Sequence, residues 1–544
     1  MEILNLSLPA TNRFATDYLA QDHAVEGFFH YHFLHSSEYE RRVMELRNRS
    51  FKRKELCDHI EQFMDPFPTS NQVKKSLEKL RSENSVVVIG GQQAGLLTGP
   101  LYSIHKVISI IMLARQQEME LGVPVVPVFW IAGEDHDFQE VNHLYINKNR
   151  KVEKWIYPEK IKEKKMVSHI ELNQEICLSW IDSILETYGE TKNTKDLLDF
   201  SKKALEKSTT MVDFFSWIIM ELFKEDGLLI IDSGDYNLRK LESEYFIKQI
   251  QCANEITSLV KEQQAEINLC GFPNTIEIPE QAGNLFYYDE EFNERILLEY
   301  DEENLIFKSK NGQIHFTKEQ LLQIASQYPE KLSNNVVTRP IMQEWLFPTL
   351  AFIAGPGEIS YWAELKKAFE FFDIKMPPIV PRLNLTFVER QIEANLRAFH
   401  LSIEDVLKEG ISKSREEFLA SVRNKKLQAL FAKTKEEVIN RYRELEECAN
   451  EEDKGLAPLL EKNSKLIMDQ LQFMENKMEL ALQFKNDVVL KKYAAIENSL
   501  KPLGSPQERI WNIYYYLNQY GFSFIHQIMQ LPFEFDGKHK VIIM

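Results

Sequence analysis

The chain has 544 residues, 44% of them hydrophobic and 27% charged, which supplies enough apolar material for large buried cores in two or three domains and excludes a disordered chain. Its 65 basic and 82 acidic side chains leave a net charge of −17, which repels a nucleic-acid backbone and an anionic membrane surface, so neither is expected as a partner. Five scattered cysteines without a C-x-x-C spacing argue against a disulfide framework or a structural zinc site; with no secretory leader, they point to the reducing cytoplasm.

Residues 1–80 read as a leading helical cap, rich in charge and aromatics and closed by the turn signals of Pro66, Pro68 and Asn71. Residues 81–390 read as the core. Ser85-Val-Val-Val-Ile-Gly90 is a β-branched run ending in glycine, a loop carries it to Pro100, and a helix is predicted from Leu101 to about Glu120. Val125 to Ile131 follows as a second strand, within the strongest apolar run of the chain, which is strand-sized and far short of a membrane span. Two parallel strands joined by a helix form a right-handed crossover, whose ligands gather beyond the carboxyl ends of the strands.

Residues 147–205, rich in lysine and glutamate, read as an insertion; a helix over Met211 to Phe223 and a buried strand over Gly227 to Asp232 resume the core. A second insertion over 255–330 carries short alternating segments, Asn284 to Tyr288 and Ile296 to Leu298, and predicts a small β module. Further core strands are predicted at Asn335 to Arg339, Leu350 to Ala354 and Pro378 to Arg382. The pattern defines an α/β class with a Rossmann-like, doubly wound parallel sheet and two insertions. Over 391–510 the chain turns to long charged helix. Leu427, Leu430, Thr434 and Val438, then Ile467, Leu471, Met474, Met478 and Leu482, recur at coiled-coil spacing, and Gly455 and Pro458 between them predict an antiparallel hairpin. That stripe serves the hairpin's own seam, a dimer interface, or both. The aromatic tail, 511–544, ends in Val541-Ile-Ile-Met544 and is expected to pack on the rest.

Three sets of residues stand at predicted strand ends. The first is the loop Gly90-Gly-Gln-Gln-Ala-Gly-Leu-Leu-Thr-Gly-Pro-Leu-Tyr-Ser-Ile-His-Lys106. Its Gly91, Gln92, Gln93, Gly95, Thr98, Gly99 and Tyr102 are candidates to hold a nucleotide against the helix start, with His105 and Lys106 stabilising charge in a phosphoryl or adenylyl transition state. Neither G-x-G-x-x-G nor G-x-x-x-x-G-K-[ST] is present, which disfavours ordinary dinucleotide binding and P-loop hydrolysis. The second set is Glu134, Asp135, His136 and Asp137, with Glu140, Asn142 and His143, suited to orienting an ammonium group, accepting a proton, or holding Mg²⁺ on a nucleotide. No dedicated metal site is expected, since H-x₆-H with hard carboxylates is not a recognised spacing; a metal-dependent hydrolase or deacetylase using His136 is the rival reading, and a noncatalytic coiled-coil scaffold another. The third set joins Arg339 and Gln343 with Gly355, Gly357, Glu358, Tyr361 and Trp362, where Arg339 suits a bidentate carboxylate or phosphate contact. Arg382, Asn384 and Thr386 mark a candidate second polar pocket.

Tyr102-Ser-Ile-His105 resembles the histidine-bearing motif that opens the first helix in class I aminoacyl-tRNA synthetases and pantothenate synthetase, keeping only its last histidine and without the lysine-rich loop of that superfamily. More specifically, the stretches GGQQAGLLTGPLYSIHK, PVFWIAGEDHDFQEVNH, TRPIMQEWLFP and AGPGEISYW, in this order and followed by a helical hairpin, resemble the cysteine ligase family of bacillithiol synthesis across essentially the whole chain. The resemblance implies a Rossmann core with two insertions, a coiled-coil region that forms a homodimer, and addition of cysteine to the amine of glucosaminyl-malate. Amide formation from a free carboxylate is uphill in water, so the reading carries with it ATP and Mg²⁺ as the source of carboxyl activation. On that reading Arg339 binds the malyl carboxylates and the Glu134–Asp137 cluster receives an ammonium or amine.

Overall fold

The computed structural model describes residues 1–161, 164–289 and 294–544; positions 162–163 of the first expected insertion and 290–293 of the second lie outside the described residues. Two compact units divide the chain, one of Met1–Phe387 with Ser505–Met544 and one of Val388–Gly504. In chain order the strands are β1 (Glu2–Leu6), β2 (Val86–Gln92), β3 (Val125–Ile131), β4 (His143–Lys148), β5 (Lys151–Ile156), β6 (Leu229–Asp232), β7 (Ala282–Asp289), β8 (Glu294–Asp301), β9 (Ile306–Ser309), β10 (His315–Thr317), β11 (Leu332–Asn334), β12 (Thr349–Ala354), β13 (Ile379–Pro381), β14 (Leu385–Val388) and β15 (His539–Ile543).

The core of the larger unit is a parallel sheet of order β13-β12-β2-β3-β6. Every residue of β3 is buried, as its unbroken apolar run requires of a strand covered on both faces. The helix Leu101–Leu121 returns the chain from β2 to β3 and ends at Gly122, whose left-handed φ of 64° closes the last turn. From β2 the chain winds outward through β3 to β6, then crosses back to β12 and β13 on the other side. The winding therefore reverses between β2 and β12, and an open sheet offers its ligand crevice at such a switch point.

Asn335 to Arg339, expected as a core strand, is a turn into a helix. The Asn335 side chain accepts hydrogen bonds from the Val337 and Thr338 N–H groups at 2.9 and 3.1 Å, and the helix Arg339–Leu346 begins there with Pro340 in its first turn, where a missing N–H costs nothing. The β-branched pair Val336-Val337 carried the strand signal; the Asx turn overrode it. The β module of the second insertion is an antiparallel sheet of order β10-β9-β8-β7-β11. In the first insertion, β4 and β5 form a hairpin whose two turn residues, Asn149 and Arg150, both have positive φ, as a type I′ turn demands.

The N-terminal segment is not wholly helical. After β1 come helices such as Ser36–Leu46 and Arg53–Met64, but β1 itself pairs antiparallel with β15 at the far end of the chain, from Glu2 opposite Ile543 to Leu6 opposite His539. The smaller unit contains the long helices Lys425–Glu452 and Ala457–Lys485. Ion pairs Arg423–Glu479 and Lys435–Glu475 and the Tyr442–Asn463 hydrogen bond tie low numbers to high in descending order, which makes the hairpin antiparallel. Among the described residues no helix is long and apolar enough to cross a membrane.

Candidate active site

A cleft of about 630 Å³ opens at the switch point. Gly91, Gln92 and Gln93 at the end of β2, Ala132 and Asp135 beyond β3, Gly355 to Glu358 beyond β12 and Arg382 beyond β13 form its floor, and Tyr102, Lys106, Arg339, Gln343 and Tyr361 its walls. The strand order spreads these groups along the cleft. With strands about 4.8 Å apart, its β13 and β3 ends lie roughly 14 Å apart.

The end near β12 and β13 is rich in cations. Lys106 donates to the Gly91 carbonyl and to Glu358 Oε2, both at 2.6 Å. Burial pushes the Lys106 ammonium down, and the Glu358 carboxylate opposes that shift. Glu358 also accepts from the Gly355 N–H at 2.6 Å, so one carboxylate joins β2's helix to the turn that starts the helix Pro356–Ala363. A Cβ at Gly357 meets no atom within 4 Å, and the N–H groups of a helix's first turn lack intrahelical acceptors, so this turn is open to an anion. Arg382 bridges both carboxylate oxygens of Glu508, from the C-terminal segment, and its guanidinium lies 5.7 Å from the Tyr102 ring.

The end beyond β3 is acidic. The Gln93 side chain donates to Asp135 at 3.3 Å and Glu140 at 2.8 Å and holds the two carboxylates side by side. Asp135 is also ion-paired with Arg339 at 3.6 Å and with Arg295 of β8 at 3.7 Å. Glu134, 2% exposed, lies behind it within 4.0 Å of Arg239, Arg295 and Arg339 and serves as the shared counter-charge for three guanidiniums. Burial is the largest single influence on Arg339 and works against its charge, but Asp135, Tyr361, Glu134 and Glu358 together outweigh it and push Arg339 upward; for Arg295 burial wins and brings it down to about 10. His143 and Tyr145 of β4 continue the wall, their rings edge-on at 5.6 Å. Burial, with help from Lys154, pushes His143 down, and its Nδ1–H donates to the Gln139 carbonyl at 3.1 Å, which leaves Nε2 as the ring's acceptor.

Several expected site residues lie elsewhere. His105 is fully buried one turn below the cleft; its Nδ1–H donates to Glu508 at 3.1 Å and its ring sits edge-on to Phe387, so it cannot touch a phosphate. Gly95, Thr98 and Gly99 are buried because the loop folds on itself: a Cβ on Gly95 would lie 2.9 Å from the Gly99 Cα. The start of the helix Leu101–Leu121 is closed to an anion, since the Leu101 N–H donates to the Trp511 carbonyl at 2.8 Å and the Ser103 N–H to Pro100 at 3.0 Å. Trp362 is buried against Phe352, with ring centroids 4.4 Å apart, and donates to the Tyr361 hydroxyl at 3.2 Å; it orients that residue instead of lining the cleft. Asn142 is buried, and its carbonyl accepts from the Tyr157 N–H. Asp137 caps the short helix Phe138–Val141, and His136, pushed down by burial and by Arg295, faces Phe286. The supposed second pocket divides. Arg382 belongs to the cleft, whereas Thr386 meets His539 at 2.8 Å and the Asn384 carbonyl accepts from Lys540, both at the junction with β15. Among the described residues no three His, Cys, Asp or Glu side chains come together as a metal-holding group.

Residue-by-residue reading of the sequence missed Arg295, Glu508 and Arg509. The signal for the last two was Gln507-Glu-Arg509, a polar triplet directly before the aromatic tail; Arg295 sits in an insertion and carried no signal.

A doubly wound parallel sheet with a charged cleft at its switch point defines a Rossmann-like enzyme core. The description "Bacillithiol biosynthesis BshC, N-terminal Rossmann-like domain" matches residues 1–383, and "Bacillithiol biosynthesis BshC, C-terminal coiled-coil domain" matches residues 385–544. Similar proteins named "Putative cysteine ligase BshC" come from Geobacillus sp. (strain WCH70), 46% identical, Geobacillus thermodenitrificans, 44%, and Bacillus cytotoxicus, 42%, each over 542 residues covering the whole of both chains. The chain belongs to the BshC family of bacillithiol biosynthesis and is a ligase.

Proposed function

We propose that this enzyme joins the carboxyl group of L-cysteine to the amine of glucosaminyl-malate, with ATP and Mg²⁺ supplying the activation. The observation that carries the reading is the two-ended cleft: cations at the β12–β13 end suit phosphate and carboxylate oxygens, and the paired Asp135 and Glu140 at the β3 end suit an ammonium. The donor set fits a nucleotide's phosphates through Lys106, Arg382 and the Gly355–Gly357 turn. Bound there, Mg·ATP would convert the cysteine carboxylate into an acyl donor that an amine can attack. Asp135 and Glu140 orient the cysteine ammonium, and Arg339 holds a malyl carboxylate. His143, neutral near pH 7 and with Nε2 free to accept, takes the proton released as the sugar amine attacks. The proposal extends to a partner, a second copy of this chain across the coiled-coil hairpin.

The test is turnover of purified protein with cysteine, glucosaminyl-malate and Mg·ATP, with thiol product and nucleotide followed by mass spectrometry. Product with AMP supports an adenylate route and product with ADP an acyl phosphate. Asp135→Asn should abolish product, and His143→Gln should lower kcat by about 10²-fold or more. Neither product nor nucleotide turnover in folded wild-type protein would reject the reaction, and near-normal rates in a variant would remove that residue from it.

A further inference from the structure

We propose that Arg509, carried into the cleft by the segment that follows the helical unit, is a substrate-contact residue that binds an oxyanion, either a phosphate or a carboxylate. This rests on the ligase reading for what the oxyanion belongs to, though not for its binding. Each of the other cations of the cleft already shares its charge with one carboxylate, Lys106 with Glu358, Arg339 with Asp135 and Arg382 with Glu508, and brings only its remaining donors to a ligand. Arg509 lines the same cleft, is exposed, and has no carboxylate within 4.0 Å among the described residues.

Its neighbours are all held. The Gln507 side chain exchanges hydrogen bonds with the Phe387 backbone at 2.8 and 2.9 Å, Glu508 clamps Arg382 and His105, the Trp511 carbonyl receives the Leu101 N–H, and the Asn512 side chain donates to two carbonyls of the glycine loop. The turn Gln507–Ile510 is thus pinned from both sides, and a single guanidinium projects from it into the cleft. A free, planar donor fork on a fixed support loses little freedom on binding and matches a bidentate oxyanion. Burial of the Glu508 carboxylate is sustained by Arg382 and His105, so Glu508 is the positioning residue and Arg509 the contact.

The experiment is isothermal titration of the full chain with two probes, sodium tripolyphosphate and L-malate, for wild type, Arg509→Ala and Arg509→Lys. Arg509→Ala is expected to weaken at least one probe by roughly tenfold to a hundredfold, the worth of a charge-assisted hydrogen bond, at an unchanged melting temperature. Arg509→Lys should recover part of the loss. Loss on tripolyphosphate assigns the contact to the nucleotide, and loss on malate assigns it to the malyl group. Affinities within fivefold of wild type for both probes, no binding of either probe by wild type, or a loss accompanied by a lower melting temperature would each overturn it. Binding is read without turnover, so a failed ligation assay leaves this result standing.

Discussion

His539 and Asp232 are both buried enough for burial to decide their charge, with opposite consequences for stability. His539 in β15 meets Thr386 at 2.8 Å, and burial brings its imidazole down to about 4. Below its ordinary value near 6.5 the unfolded chain takes up a proton that the folded chain refuses, so stability is lost progressively as pH falls from about 6.5 to about 4. Asp232 at the end of β6, where Ser168 and the Gly234 N–H donate to it, is pushed up to about 7 by burial and costs stability as pH rises toward that value. The two oppose one another in the wild type. Comparison with His539→Asn isolates the first: between pH 7.5 and 5 the variant should gain about 2 kcal/mol relative to wild type in denaturant titrations. A difference that does not change with pH would mean that His539 titrates normally in the fold. The same logic recasts His105. A histidine sealed beneath a cleft, with its Nδ1–H given to Glu508, adds to Arg382 in keeping that buried carboxylate charged and in place.

The glycine loop after β2 behaves as an element with two halves. Gly91 to Gln93 reach the cleft; Leu97, Thr98 and Gly99 follow with φ of 51°, 73° and 67°, a left-handed run that costs a leucine and a β-branched threonine strain. The Asn512 side chain holds it by donating to the Leu97 carbonyl at 2.8 Å and the Gly99 carbonyl at 2.5 Å. Asn512→Ala should cost about 2–4 kcal/mol, since two buried carbonyls lose their donor. Asn512→Asp should cost more, because a carboxylate would face both oxygens. A change below about 0.5 kcal/mol in Asn512→Ala would show that the loop supports itself. The fold was legible where one element explained its own pattern: the apolar run of β3, the helix Met211–Phe223 and the parallel sheet built from them. The candidate site was legible mainly at strand ends, where topology collects ligands, and so Gly91, Lys106, Asp135 and Gly355 came out together; Arg339 joins them from the start of a helix where a strand was expected. What pairs across hundreds of residues was not. Nothing local in Glu2 to Leu6 announces β15, nothing at His105 announces Glu508, and no spacing rule places Arg295 beside Asp135.

At the scale of the whole molecule, the cleft and the helical hairpin make separate demands. Each cleft residue named above belongs to the unit of Met1–Phe387 with Ser505–Met544, so one chain supplies a full set. The hairpin, in contrast, covers its apolar stripe only in part, with Leu427, Val438, Leu471 and Leu482 half-buried. No described residue of Lys425–Glu452 or Ala457–Lys485 is buried, and Ile467, Met474 and Met478 remain 36%, 45% and 38% exposed. The part of an apolar coiled-coil seam that its own hairpin leaves exposed gains by burial against a second copy, at about 25 cal/mol per Å² removed from water. Mutual repulsion of two chains of charge −17 opposes this and weakens as salt screens it. The proposed homodimer should therefore show twice the chain mass by light scattering at micromolar concentration, more firmly at 0.5 M than at 0.05 M salt. Met474→Glu with Met478→Glu should reduce it to a single chain mass. Since the cleft draws on one chain, that monomer should keep its turnover per site. A wild type that is monomeric at both salt concentrations would reject the dimer, and a monomeric variant that is folded yet inactive would show that the second copy completes the site.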